Sequence, residues 1–94
     1  MQTTTIQGAR VLLDNDRVTV SEVVLEPTQS IPMHSHGAYI IVAKTRSETR
    51  FSHRDGTSEI IRLEPGQILY REAETHSAEN IGSSVDDTLV IDLK

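Results

Sequence analysis

Closely spaced turn signals divide this chain into segments that are too short for most helices. No stretch carries a helical period over about eleven residues, whereas residues 17–25 alternate and are rich in valine. Turns at about eight- to twelve-residue spacing are typical of an all-β sandwich or barrel. Four turn-prone sequences carry this signal: Asp14-Asn15-Asp16, Asp55-Gly56, Glu64-Pro65-Gly66 and Gly82-Ser83-Ser84.

The segments between these turns predict about eight short strands. In the longest predicted strand, side chains alternate between two faces, which places His34, His36 and Ile40 on the same face. Gly37 within this strand indicates a bulge or a close approach of two backbones. Asp55-Gly56 predicts a tight hairpin with a type I′ turn. The predicted strands are residues 9–13, 17–25, 33–44, 50–54, 57–63, 67–71, 75–81 and 88–93.

The length of 94 residues predicts one domain, residues 1–94, with residues 1–8 as an N-terminal arm. Only 36% of the residues are apolar, and the aromatic ones are Tyr39, Phe51 and Tyr70. A domain with so thin a core benefits from a partner subunit or a bound ion.

Charge and composition exclude several classes of function. The net charge is −5 and the basic residues are scattered, so we expect no nucleic-acid partner and no attraction to an acidic membrane. The absence of cysteine excludes disulfides, thiolate metal sites and a cysteine nucleophile. The sequence shows no secretory signal and no long apolar run, which predicts a cytoplasmic protein.

Three of the four histidines have a spacing that indicates a metal site. His34 and His36 share one face of a strand, and His76 and Asn80 follow about forty residues later. A His-x-His pair alone is most often core filling or coincidence. A third histidine from another strand would complete a set of three nitrogen donors inside a small barrel.

These residues give the chain a resemblance to the small single-domain cupins, over roughly residues 16 to 93. His34-Ser35-His36 resembles the histidine pair of the first cupin motif. Glu64-Pro65-Gly66 resembles the turn of the second motif, and His76 with Asn80 resembles its closing His and Asn. Within the family, residues 33–36 and 73–76 resemble a bacterial subgroup associated with β-alanine degradation.

The chain departs from the cupin motifs at several positions. The metal-binding Glu of the first motif falls at Ile40 or Ile41, so a carboxylate position has become an apolar wall. The motif's glycines fall on Thr28 and Ser47. The Pro of the second motif corresponds to Glu72. Gln67 stands at the position after Pro-Gly where the family often has an acidic residue.

The resemblance implies a cupin-type double-stranded β-helix, a jelly-roll barrel, that forms a homodimer. It implies one divalent transition metal per subunit on His34, His36 and His76, with coordination positions left open. The candidate metals are Fe, Ni, Zn, Mn, Co and Cu. Three neutral imidazoles leave the ion its full charge, so we expect a small anionic ligand.

Several further residues are assigned by their position relative to the histidines. We expect Tyr39 at a subunit interface, His53 exposed, and Asp86-Asp87 in a polar turn. Glu72 and Glu74 are expected to be solvated rather than to replace the missing Glu. Candidate residues around the metal or in the pocket are Ile40, Gln67, Tyr70, Glu72, Glu74 and Asn80.

Three functions remain open at this point. The first is a metal-dependent enzyme, of the oxygenase type, acting on a small anionic substrate. The second is a non-catalytic small-molecule-binding or regulatory cupin. The third is a degenerate barrel without metal.

Overall fold

A computed structural model describes residues 9–94, which form strands and no helix. The all-β prediction is confirmed, while the predicted arm, residues 1–8, lies outside the described residues. Consequently, no helix in this range could cross a membrane. The nine strands are β1 (Ala9–Asp14), β2 (Val18–Leu25), β3 (Ser30–His36), β4 (Tyr39–Ala43), β5 (Ser47–His53), β6 (Ser58–Leu63), β7 (Ile68–Arg71), β8 (Glu74–Asn80) and β9 (Asp86–Leu93).

The strands form two antiparallel sheets that face each other. One sheet has the order β1-β2-β9-β4-β7 and the other the order β3-β8-β5-β6. Alternate residues of each strand point between the sheets, because successive side chains of a strand lie on opposite faces. The buried core consists of Tyr39, Ile41, Ala43, Phe51, Leu63 and Ala78.

A β-bulge at Pro32 and Met33 sets the direction of the histidine pair. Ile31 pairs with Ala78 and His34 pairs with His76, so β3 has one more residue than β8 between these two pairs. The extra residue reverses the alternation, and Ile31, His34 and His36 all line the interior while Met33 is exposed. The sequence analysis placed residues 27–32 in a loop and did not predict this bulge.

The chain changes sheets at Gly37 and Ala38, so the predicted single strand over residues 33–44 is wrong. β3 belongs to the four-stranded sheet and β4 to the five-stranded sheet. The interruption shifts the phase, and Tyr39 and Ile41 face the interior in place of Ile40.

The turns follow the predicted positions but not always the predicted geometry. The β5–β6 hairpin is confirmed, but its turn is not the predicted type I′. The Gly56 N–H donates to the His53 carbonyl oxygen at 3.0 Å, so Arg54 and Asp55 are the central residues, and neither has a positive φ, whereas Gly56 has a φ of 92°. Pro65 and Gly66 form the other predicted turn, in which the Gln67 N–H donates to the Glu64 carbonyl oxygen at 3.0 Å.

The predicted polar turn at Asp86 and Asp87 is wrong. Both residues belong to β9, where Asp86 pairs with Leu25 and Asp87 with Val24. Asp86 is buried, whereas turn residues ordinarily face water. The strand therefore starts two residues earlier than its apolar residues indicate.

Thr28, which the sequence analysis aligned with a glycine of the first cupin motif, adopts a backbone conformation that favours glycine. Its φ is 73°, and it is the one non-glycine residue with a positive φ among the described residues. Its N–H donates to the Asn80 carbonyl oxygen at 2.9 Å, which joins the β2–β3 loop to the end of β8. This hydrogen bond holds the residue in a conformation that a β-branched side chain disfavours.

Candidate metal centre

His34, His36 and His76 meet inside the barrel, as the sequence analysis predicted. His34 and His36 extend from β3, and His76 extends from β8 directly beside His34. The ring centroids lie 4.6 Å apart for His34 and His36, 4.8 Å for His34 and His76, and 5.2 Å for His36 and His76. One nitrogen from each ring lies within 4.8 Å of the other two, so a single ion could contact all three.

Hydrogen bonds fix the orientation of the two β3 rings. The Nδ1–H of His34 donates to the Pro32 carbonyl oxygen at 2.7 Å, and that of His36 donates to Asp92 Oδ1 at 2.7 Å. Both acceptors lack a proton to give, so each neutral ring carries its proton on Nδ1 and a lone pair on Nε2. Hydrogen bonds of this kind commonly orient metal-ligating histidines.

The two free nitrogens of this pair lie against each other. His34 Nε2 and His36 Nε2 are 2.9 Å apart. Two lone pairs at that distance repel each other unless a positive charge lies between them. Two nitrogens that bind one ion at about 2.1 Å with an angle near 90° are about 3 Å apart, which fits the observed spacing.

His76 supplies the third donor from the most buried position. It is 2% exposed, and its Nδ1 has no hydrogen-bond partner. Burial, together with the neighbouring His34, lowers the pKa of His76 to about 4, and burial also lowers the pKa of His34. Both rings are therefore held neutral, which is the form that binds metal, and the donor set fits a divalent transition metal.

Tyr39 lies in the site and not on the surface. It is 1% exposed, and its ring stacks on His36 with the centroids 4.2 Å apart. The expectation of a subunit interface is wrong because the sheet change at Gly37 turns Tyr39 inward. Ile40, which was expected to form the apolar wall, is only half-buried and does not line the cavity.

Glu74 is the carboxylate nearest to the histidines, and it is not the solvated charge that the sequence analysis expected. It receives hydrogen bonds from the Tyr39 hydroxyl at 2.5 Å and from Arg71 Nε and Nη2, each at 2.8 Å. Burial opposes ionisation of Glu74, but these hydrogen bonds outweigh burial and lower its pKa to about 2. Its Oε1 is 3.8 Å from His76 Nδ1, too far for a hydrogen bond, so Glu74 is engaged elsewhere.

A second cluster lies next to Glu74 and includes His53, which was expected to be exposed. His53 ends β5 with 23% of its side chain exposed, and its Nε2 is 2.7 Å from Glu59 Oε2. Glu59 and Glu74 both accept hydrogen bonds from Arg71, whose Nη2 is 2.7 Å from Glu59 Oε2. The residue types would suit a metal, but the Arg71 guanidinium already donates hydrogen bonds to both carboxylates and offsets one of their two charges.

The remaining candidates lie away from the histidines. Gln67 is exposed and its Oε1 accepts a hydrogen bond from the Glu64 N–H at 2.7 Å. Tyr70 is 52% exposed, and Glu72 is also exposed. None of the three lines the cavity.

Asn80, a candidate for the surroundings of the metal, is buried and holds the loop that follows β8. Its Nδ2 donates to the carbonyl oxygens of Leu25 and Ser84, both at 2.9 Å. Its Oδ1 accepts from the Gly82 N–H at 2.9 Å. Asn80 therefore satisfies the backbone at the end of the barrel and does not contact the histidines.

The histidines open on a cavity of about 140 Å³ between the two sheets. Its middle is apolar, with side chains that include Ile41, Phe51 and Val90. Asp92 and Tyr39 also line it near the histidines. Sequence reasoning did not find Asp92 or Tyr39, because neither belongs to a recognisable motif.

Comparisons with known proteins identify the fold. No family model matches the sequence, and a search of curated proteins gives no match. A cupin domain from Bordetella pertussis Tohama I is similar in structure, with a TM-score of 0.84, 25% identity, and coverage of 100% of this chain and 98% of that chain. The chain has the cupin fold.

Two further cupin-type structures support this result. An uncharacterized conserved protein with a double-stranded β-helix domain from Klebsiella pneumoniae has a TM-score of 0.72 and 18% identity, covering 98% of this chain and 81% of that chain. A cupin superfamily protein from Desulfitobacterium hafniense has a TM-score of 0.67 and 19% identity, covering 99% and 81%. The predicted jelly roll is therefore confirmed, while the likeness to the β-alanine degradation subgroup stays a prediction.

Proposed function

We propose that this cupin binds one divalent transition metal through His34, His36 and His76 and presents it to a small anionic ligand in the barrel. The observation that carries the proposal is the 2.9 Å separation between His34 Nε2 and His36 Nε2. Both rings use Nδ1 as a donor, so both Nε2 atoms offer lone pairs to the same point. A metal ion between them would turn this repulsion into coordination.

The surrounding residues support metal binding more than a proton shared by the two rings. Burial lowers the pKa of both His34 and His76, which disfavours an imidazolium at the centre of the cluster. Asp92 would hold the His36 ring in the orientation that leaves Nε2 free to bind the ion. The Tyr39 ring stacks on the face of the His36 ring and so also holds it in place.

The same residues define what the site can accept. Three neutral imidazoles leave a divalent ion with its full charge, and many of the side chains that line the cavity beside them are apolar. An anionic group, such as a carboxylate or an enolate, is the natural ligand for such a centre. When bound, the metal would supply a Lewis acid with open coordination positions, and iron would add redox chemistry.

Elemental analysis of the purified, untagged protein tests the proposal. We expect about one metal equivalent per chain, and little metal in the His34→Ala/His36→Ala variant. His53→Ala is the matched control, because it removes the remaining histidine without touching the three donors. A parent protein without metal after reconstitution, or equal metal in all three proteins, would contradict the proposal.

Turnover needs a separate measurement, since a binding cupin and an enzyme would share the metal centre. The oxygenase function predicted from the sequence requires oxygen consumption that depends on the metal and is lost in His76→Ala. Ligand binding without oxygen consumption and without chemical change of the ligand would favour the alternative, a non-catalytic or regulatory cupin.

A further inference from the structure

A polar group lies at the end of the cavity opposite the histidines. Asp86, Thr88, Val90 and Asp92 all line the cavity from one face of β9. Asp92 contacts His36, whereas Asp86 begins the strand six residues earlier. The cavity therefore has a histidine end and an Asp86 end.

The carboxyl group of Asp86 is only partly satisfied by the protein. The residue is 5% exposed, and its Oδ2 accepts a hydrogen bond from the Thr49 hydroxyl at 2.7 Å. Its Oδ1 is buried and has no partner. No lysine or arginine is among the described residues that line the cavity, so the protein offers this oxygen no cation.

The environment of Asp86 is unusually polar for the interior of a small barrel. The hydroxyl-bearing side chains of Ser47, Thr49 and Thr88 are all buried and line the cavity; Thr88 lies two residues after Asp86 on β9, and Thr49 donates to Asp86 from β5. Burial raises the pKa of Asp86, and the negative charge of Asp87 adds to this effect. A buried acceptor without a partner is costly, and proteins keep such a group mainly where a ligand or function requires it.

We propose that Asp86 binds the hydrogen-bond-donating end of the ligand, an amine or a hydroxyl, whose other end lies at the histidines. The second half of this statement rests on the proposed function, while the role of Asp86 does not. The ligand is then a bifunctional molecule, with an acidic group at one end, an amine or hydroxyl at the other, and an apolar chain between them. The apolar side chains in the middle of the cavity match that chain.

The strand register gives the length of this ligand. Thr49, which holds Asp86, lies four residues before His53 on β5, and His53 pairs with His76 on β8. The two ends are therefore about 13 Å apart along the strand. Side chains from both ends shorten the gap, so we expect straight-chain ligands of intermediate length to fit best.

Calorimetric titration of the metal-loaded protein tests the assignment. The probes are straight-chain acids from butanoate to octanoate, each compared with its ω-amino and ω-hydroxy forms. We expect at least one ω-substituted acid to bind about tenfold or more tightly than the plain acid of the same length. The two substituents distinguish an amine ligand from a hydroxyl ligand.

Variants at neighbouring residues show whether Asp86 causes this preference. Asp86→Ala and the isosteric Asp86→Asn should bring the preference for the amine close to one, and Asp86→Ala should do the same for the hydroxyl. Asp87→Ala is the control for the neighbouring charge, since Asp87 does not line the cavity and pairs with Lys44 at 3.0 Å. Removing the Asp87 charge favours ionisation of Asp86, so we expect this variant to keep or strengthen the preference of the parent for the amine.

Two results would overturn the role of Asp86. One is a parent protein that does not distinguish substituted from plain acids at any length, a measurement that needs no variant to fold. The other is an unchanged preference in the folded Asp86 variants. Metal content is measured separately in each protein. If the parent holds no metal, the probes are straight-chain amines and alcohols in place of the acids, and their binding is compared between the parent and Asp86→Ala.

Discussion

At the scale of single residues, His76 links the metal centre to the stability of the barrel. It is buried against Phe51, with the ring centroids 4.4 Å apart, and it sits between β3 and β5. In acidic solution a free histidine takes up a proton, but burial in the folded protein lowers the pKa of His76 and disfavours this protonation. The unfolded chain takes up the proton more readily, so acid favours unfolding.

The metal-free protein should therefore lose stability as the pH falls from about 6.5 toward about 4. The pKa of His76 is lowered from 6.5 to about 4, so its contribution is fully present above 6.5 and is lost as the pH falls through the folded value. The loss is of order 3 kcal/mol over this range. Urea unfolding in the presence of a chelator measures it, with His76→Gln expected to give a flatter profile. Parallel profiles for the two proteins would contradict the assignment.

At the scale of elements, the connections between strands determine which way the side chains point. These connections are also the feature that is hardest to predict from the sequence. The histidine spacing is sufficient to predict that His34, His36 and His76 meet. The bulge at Pro32 and the sheet change at Gly37 depend on pairing with distant strands, so the local period could not reveal them. Tyr39 was consequently placed outside and Ile40 inside.

The ends of elements show the same limit. Asp86 looks like part of a turn because two adjacent acidic residues are ordinarily solvated. The pairing of β9 with β2 makes it a buried strand residue instead. His53 likewise follows a polar sequence; the β5–β6 hairpin brings it beside Glu59, and the pairing of β5 with β8 brings it beside Glu74. Long-range pairing, which propensity does not encode, supplied each of these positions.

The loop before β3 offers a prediction at this scale. Thr28 has a φ of 73°, a conformation that glycine adopts without steric cost, so Thr28→Gly should relieve backbone strain and stabilise the protein by about 1 kcal/mol. Ser84→Gly is the control, because Ser84 has an ordinary φ and its replacement relieves no strain. This substitution only increases the chain entropy of the unfolded state, so it should destabilise the protein by about 0.5–1 kcal/mol. Chemical denaturation of the three proteins gives the comparison. A loss of stability in Thr28→Gly would show that the loop holds Thr28 without strain.

At the scale of the whole molecule, exposed apolar residues gather at the sheet edge formed by β1. Val11, Leu12 and Leu13 are 43%, 49% and 50% exposed, and within residues 9–94 their strand pairs only with β2. An uncovered edge strand with apolar side chains promotes pairing with another chain. The homodimer predicted from the sequence would be explained if β1 of each copy covered the other.

Sedimentation velocity over a range of concentrations tests this prediction. We expect the parent to sediment as a dimer and Leu12→Glu to shift it toward monomer, since a charge on the edge disfavours pairing. Ile60→Glu is the control, because Ile60 is similarly exposed but lies on β6 in the other sheet. A parent that sediments as a monomer at every concentration would rule out the dimer.

The contact between His36 and Asp92 joins the two sheets, and the partners are 56 residues apart in the chain. His36 and His76 are likewise separated by about forty residues, so an ion held by both would close a long loop of the unfolded chain. A chain without cysteine cannot form the covalent cross-link that small β proteins often use. The metal would then act as a reversible cross-link between distant parts of the chain. The availability of metal in the cell would determine how long the barrel remains folded.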